Sequence, residues 1–239
     1  MRMNGKKDGV LMACYACLLV IGGLLTWLKY DYNAVKMENV REACGYVSAS
    51  ATPVEAPKIA LTFDDGPSTA WTPALLDGLK ERGVKATFFL IGENADKNPE
   101  IVKRMAEEGH LIGNHTYHHV ELTKVSENEA RLELADTSAV IVRITGKEPE
   151  YMRPPFGAWQ RKLEQEIQML PVLWTIDPLD WTTENQDEIV NKVVTEAGEN
   201  DIILLHDCYK SSIEAGLRIV DILQEEGFVF VTVDELLLN

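Results

Sequence analysis

Two acids, Asp64 and Asp65, close the apolar run KIALTF (58–63) and stand directly before Gly66-Pro67. A buried carboxylate is costly unless it is paired, hydrogen-bonded or bound to a metal. Two of them at a strand end ask for a cation, unless they only bond local backbone in an Asp-Asp-Gly-Pro turn and face water. The rest of the chain decides between these readings. It holds five histidines, three of them in Asn114-His115-Thr116-Tyr117-His118-His119. His115 and His119 are four apart, which on a helical turn puts both rings on one face, as paired metal ligands need. One carboxylate added to them makes a His-His-Asp set with an open position, the layout of a catalytic rather than a structural zinc site. His118 has no partner in that geometry and reads as a bystander.

Such residues need a scaffold. Between positions 58 and 239, short apolar runs alternate with amphipathic ones. Strands are expected at KIALTF (58–63), ATFFLIG (86–92), HLIGNH (110–115), YMRPPF (151–156), PVLWTID (171–177), DIILLHD (201–207) and FVFVTV (228–233). Helices are expected at 72–83, 98–109, 129–146, 161–169, 186–197 and 212–227, with Ser126 and Glu129 as a capping box for the third. Strict alternation argues for a parallel sheet covered by helices, and continuously apolar strands fit burial on both faces. An open doubly wound sheet and a closed barrel both satisfy that pattern. Asp64, Asp65, His115, Arg153, Asp177 and His206 all fall at or just after strand C-termini. A barrel brings those ends to one mouth, so a barrel-like fold is expected.

With 38 acidic against 23 basic residues, the chain carries a formal charge of −15. That argues against nucleic acid as a partner, since phosphate binding needs clustered Lys and Arg. No obligate protein partner is evident. Residues 1–8, with Arg2, Lys6 and Lys7, precede an uncharged stretch, Gly9 to Leu28. Twenty such residues are long enough to span a bilayer as a helix. The positives before it favour an N-terminus inside the cell, and Trp27 and Tyr30 suit the interface. The favoured reading is an uncleaved signal anchor, followed by a tether over 29–57 and a domain over 58–239 outside the cytoplasmic membrane. A cleaved signal peptide is the rival; a lipoprotein box at Leu11-Met12-Ala13-Cys14 has too few apolar residues before it. Cys14 and Cys17 lie in the apolar stretch, Cys44 in the tether and Cys208 in the domain, so no disulfide framework is defined.

Five motifs in order resemble the polysaccharide deacetylases, the NodB-homology group of carbohydrate esterase family 4: Thr-Phe-Asp-Asp-Gly-Pro, His-Thr-x-x-His, Arg-Pro-Pro-Phe-Gly, Asp-x-x-Asp-Trp and Leu-Leu-His-Asp. The resemblance covers essentially all of 58–239 and implies a distorted (β/α) barrel of about seven parallel strands, which follows the N-terminal transmembrane helix expected from the apolar stretch. It implies Asp64 as general base, and Asp65 as metal ligand beside His115 and His119. Arg153 is implied to orient the base. The backbone N–H of Phe156 is implied to help bind the oxyanion. Asp180 is implied to tune a catalytic histidine, and Trp181 to wall the acetyl pocket. Leu204 is implied as its apolar wall and His206 as general acid. Cys208 is a departure that the family does not require, read as a passive loop cysteine.

The implied activity is removal of N-acetyl groups from an amino-sugar polymer with one divalent metal ion, zinc first, with cobalt, manganese and nickel as alternatives that the same donors accept. A membrane tether points to cell-wall polysaccharide, hence peptidoglycan N-acetylglucosamine. Chitin oligosaccharides, N-acetylmuramic acid and acetyl-xylan are alternatives that the motifs do not separate. A catalytically silent carbohydrate-binding module is the reading from another class, and the intact set Asp64, Asp65, His115, His119, Arg153 and His206 speaks against it.

Overall fold

The computed structural model describes residues 55–160, 162 and 167–238. The expected membrane span, nearly all of the tether, Cys14, Cys17, Cys44 and most of the helix expected over 161–169 lie outside the described residues. No helix among the described residues is long and apolar enough to cross a membrane.

Seven strands form one sheet: β1 (Lys58–Asp64), β2 (Thr87–Leu90), β3 (Leu111–Asn114), β4 (Tyr151–Met152), β5 (Leu170–Pro171), β6 (Ile202–His206) and β7 (Val229–Val231). All pairings are parallel, in the order β5-β4-β3-β2-β1-β6, with β7 against the first residues of β1. The covering helices are α1 (Thr72–Glu81), α2 (Gly92–Lys97), α3 (Pro99–Glu107), α4 (Glu127–Thr145), α5 (Gln186–Glu196), α6 (Lys210–Glu225) and α7 (Val233–Leu237).

Side-chain alternation along the strands positions the site. Ile59, Leu61 and Phe63 of β1 pack with Leu75, Leu76 and Ile219 in the main core under the helices. Ala60 joins Phe89, Val172 and Ile202 in a second, inner cluster. Successive strand residues point to opposite faces, so Thr62 and Asp64 follow Ala60 inward. On β6, Ile203 and Leu205 face the helices, which turns Leu204 and His206 to the same interior.

Two expected strands are shorter than their apolar runs. YMRPPF pairs only at Tyr151–Met152, because Pro154 and Pro155 have no N–H to donate and Phe156 turns to φ 60°. PVLWTID is broken: Pro171 pairs with Met152 of β4, and Ile176 bridges Ile203 on β6. One bent segment therefore crosses from one edge of the sheet to the other. The architecture is a parallel-stranded α/β half-barrel of seven strands whose edges meet at that bridge, in keeping with the expected distorted barrel. Ser126 caps α4 by accepting the Glu129 N–H at 3.2 Å. The short helices α2 and α7 were not foreseen, and α7 carries the capping box, Thr232 with Glu235.

Candidate active site

Among the described residues Arg153 is the largest side chain with no exposure, and its placement explains Asp64. Its Nη1 donates to Asp64 Oδ1 at 2.8 Å and to Thr62 Oγ1 at 2.7 Å. Nε and Nη2 donate to the carbonyls of Val172 and Leu173, both at 3.2 Å. The guanidinium lies over the Phe89 ring, 4.3 Å from its centroid. The break in PVLWTID supplies those two carbonyls, since a regular strand would have spent them on a neighbour. Burial pushes the Asp64 carboxyl above its usual range, and the Arg153 charge pulls it only partly back. Oδ1 is held by Arg153, so Oδ2, 3.8 Å from His115 Nε2, is the oxygen turned to the site.

Asp65 turns away from β1 at φ 75°. Its Oδ1 lies 3.5 Å from His115 Nε2 and 3.4 Å from His119 Nε2, and is buried without a hydrogen-bond partner. His115 Nδ1 meets the Arg153 carbonyl at 2.6 Å. A carbonyl only accepts, so Nδ1 carries the proton and Nε2 presents its lone pair. Burial holds the His115 pKa down to about 3, so the ring is neutral, as a ligand must be. An orphaned carboxylate oxygen facing two imidazole nitrogens fits a divalent cation, and Asp65, His115 and His119 are the group of potential ligands that converge among the described residues.

The histidine loop departs from its expected form. Residues 115–119 are not a helical turn; Thr116 and His119 adopt φ 61° and 58°. The rings still converge, 5.0 Å between centroids, because β3 and the loop rather than an i,i+4 helix spacing aim them. His118 stays outside the converging group, as expected, but its ring is held elsewhere: Nδ1 lies 2.7 Å from Glu133 Oε1.

Across the mouth, His206 Nδ1 lies 2.8 Å from Asp180 Oδ1, and the His206 N–H donates to Asp180 Oδ2 at 2.9 Å. Burial opposes a charge on this ring. The Asp180 bond, with Asp64 and Asp65 nearby, outweighs it and pushes the pKa up to about 9. Asp180 and Trp181 share the short 3-10 turn Asp180–Thr182. A cavity of about 470 Å³ is lined by Asp64, Asp65, His115, His119, Phe156, Trp181, Leu204 and His206. Arg153 and Asp180 stand behind Asp64 and His206, so the whole expected set comes to one place. Asp177 lies on the same wall and bonds the Leu179 N–H at 2.8 Å.

Trp174, Leu179 and Tyr209 also line the cavity and were missed. Trp174 was hidden in an apolar run; Tyr209, three residues after His206, was within reach of the strand-end argument. A neighbouring cavity of about 550 Å³ lies beyond Trp181 and Tyr209 and lacks the metal-ligand group. Asp207 does not line the site: it is fully buried and accepts from Thr72 Oγ1 at 2.6 Å. Burial pushes the Cys208 thiol up to about 12, which fits an inert thiol rather than a ligand.

Residues 51–173 match the family model described as polysaccharide deacetylase. A peptidoglycan-N-acetylglucosamine deacetylase of Bacillus cereus is 42% identical over 194 residues, 78% of this chain and 70% of that protein. The peptidoglycan-N-acetylmuramic acid deacetylase PdaC of Bacillus subtilis is 41% identical over 178 residues; the match takes in 74% of this chain and 38% of that longer protein. The solved structure of PdaC superposes with a TM-score of 0.75 at 40% identity, covering 76% of this chain and 90% of that one.

Proposed function

The chain belongs to the polysaccharide deacetylase family, and from that premise we propose that it removes N-acetyl groups from an amino-sugar polymer by metal-dependent hydrolysis, with peptidoglycan N-acetylglucosamine as substrate. The observation that carries this reading is the unpartnered Asp65 Oδ1 facing Nε2 of both His115 and His119, with Asp64 and His206 on the same cavity. Asp65, His115 and His119 would hold one divalent ion, zinc first by donor type, with cobalt, manganese and nickel served by the same donors. Bound there, the ion supplies Lewis-acid polarisation and a lowered water pKa.

The protein's own groups divide the remaining work. Asp64 takes a proton from the attacking water at Oδ2, while Arg153 fixes the carboxylate through Oδ1. Its raised pKa brings it nearer to that of an effective base at neutral pH. As the water oxygen bonds to the acetyl carbon, the backbone N–H of Phe156 helps hold the developing oxyanion. His206, protonated and kept so by Asp180, gives its Nε2 proton to the departing nitrogen as the C–N bond breaks. The products are acetate and a free amino sugar. Trp181 and Leu204 wall the acetyl methyl.

The assignment to peptidoglycan draws on what the relatives are named for, and on the apolar stretch Gly9 to Leu28, which as a membrane anchor would hold the domain outside, facing the wall. The relatives divide between N-acetylglucosamine and N-acetylmuramic acid; both sugars are tested together by mass spectrometry of defined wall fragments after incubation with the purified protein. Loss of acetyl from glucosamine is expected. Loss from muramic acid alone overturns the choice of sugar, and no acetate from either overturns the reading.

A further inference from the structure

Residues 115–119 hold a backbone that their own sequence does not favour. Thr116 and His119 both sit at positive φ, a region that residues other than Gly, Asn and Asp enter at a cost. Such strain persists only where the surroundings over-determine it. Two helices hold the loop, one through its carbonyls and one through its N–H groups. From α2, Gly92 and Glu93 donate their N–H groups to the carbonyls of Thr116 and Tyr117 at 2.9 and 3.0 Å. From α4, a single oxygen of Glu133, Oε2, accepts the N–H groups of Tyr117 and His118 at 2.9 and 2.7 Å. The other oxygen meets the His118 ring at 2.7 Å. Glu133 is only 9% exposed, so its carboxylate is withdrawn from water in favour of three bonds to this one loop.

We infer that Glu133 is a positioning residue for the metal site: it sets the divalent-ion affinity of His115 and His119 through the backbone between them, without touching the ion. The inference rests on the metal-site reading above. The bonds fall on residues 117 and 118, with one ligand on either side. Releasing those N–H groups frees Thr116 and His119 to leave the left-handed region, and the two Nε2 atoms then no longer converge on Asp65. Geometry rather than charge carries the effect. A glutamine reproduces it, with its Oε1 accepting both N–H groups and its amide donating to His118 Nδ1. An aspartate keeps the charge but draws the carboxylate back by one methylene.

The test uses the purified full chain, stripped with chelator and titrated with Zn²⁺ against a chromophoric competitor, with the Co²⁺ absorption spectrum as a signature of ligand geometry. Glu133→Ala is expected to weaken zinc binding about 10–100-fold, the usual range for groups that orient metal ligands, and to alter the Co²⁺ bands. Glu133→Gln is expected to stay near wild type, and Glu133→Asp to fall between Gln and Ala. Should Glu133→Ala fail to fold, the order of the other two decides. Wild-type affinity and spectrum in Glu133→Ala, or tighter binding by Asp than by Gln, overturns the inference. A wild-type protein that takes up no zinc overturns the metal-site reading itself, and this inference with it.

Discussion

Asp64 and Asp65 are chemically identical neighbours in different surroundings, and the proposed mechanism gives them different work. Asp64 is clamped by Arg153, whereas Asp65 Oδ1 has no hydrogen-bond partner and faces Nε2 of both His115 and His119. Asp64→Asn is therefore expected to keep the metal and lose about 10²–10⁴-fold in turnover, the usual cost of a lost general base. Asp65→Asn is expected to lose the metal itself. Metal analysis beside turnover separates them; equal metal loss in both contradicts the division. His206 gives a second test. As the proposed general acid its active form is the protonated one, so kcat should fall as pH rises through a raised pKa, about 9 without metal. A bound cation beside Asp65 offsets that acid's share, so the shift on mutation is more diagnostic than the absolute position. Asp180→Asn removes the carboxylate that favours the charged ring and leaves burial opposing it. The ring then loses its proton at lower pH, and the alkaline limb moves to lower pH with metal content unchanged. A limb that stays in place removes the pair from the mechanism.

At the level of strands and helices, the sequence was clearest where period and burial agree. β1, β6 and the long helices fall close to their expected runs, because apolar runs and amphipathic periods are properties of the segments themselves. The failures are where long-range geometry outvotes local pattern. PVLWTID reads as one strand but bends between two edges of the sheet, and its freed carbonyls then hold Arg153. The four-residue spacing of His115 and His119 suggested a helical turn, whereas the loop takes left-handed residues whose stabilising bonds come from Gly92 and Glu133, distant in sequence. The convergence of Asp65, His115 and His119 was thus legible for an incomplete reason, and the division of labour proposed for the two acids came from family resemblance rather than from pattern. Packing on β3 offers a further test. A Cβ on Gly113 would lie 2.4 Å from the Phe89 ring, the ring against which Arg153 rests. Gly113→Ala should therefore cost about 1–3 kcal/mol, the range for overpacked sites, read by chemical denaturation of the metal-free protein. Unchanged stability contradicts that packing.

For the molecule as a whole, the half-barrel gathers residues from β1, the β3 loop, the turn after β4, the bent 170–177 segment and β6 at one mouth, with Trp181 57% exposed and Phe156 67% exposed at its rim. Exposed aromatic faces beside a hydrolytic centre suit a sugar polymer lying across the opening. If the apolar stretch Gly9 to Leu28 is a membrane anchor, as proposed, it holds the domain outside the cell on the side of the wall. Protease treatment of intact cells should accordingly cleave the domain and spare the residues before Gly9. A soluble form starting after residue 28 would replace the anchor with a cleaved leader. The most direct test of the central claim is acetate release from peptidoglycan fragments by the purified protein, before chelation, after chelation and after one equivalent of Zn²⁺ is returned. The account predicts release before, none after, recovery with the ion, and product sugars that have each lost one acetyl group. Full activity after the metal is removed, or intact acetyl groups with the metal-loaded protein, would contradict it.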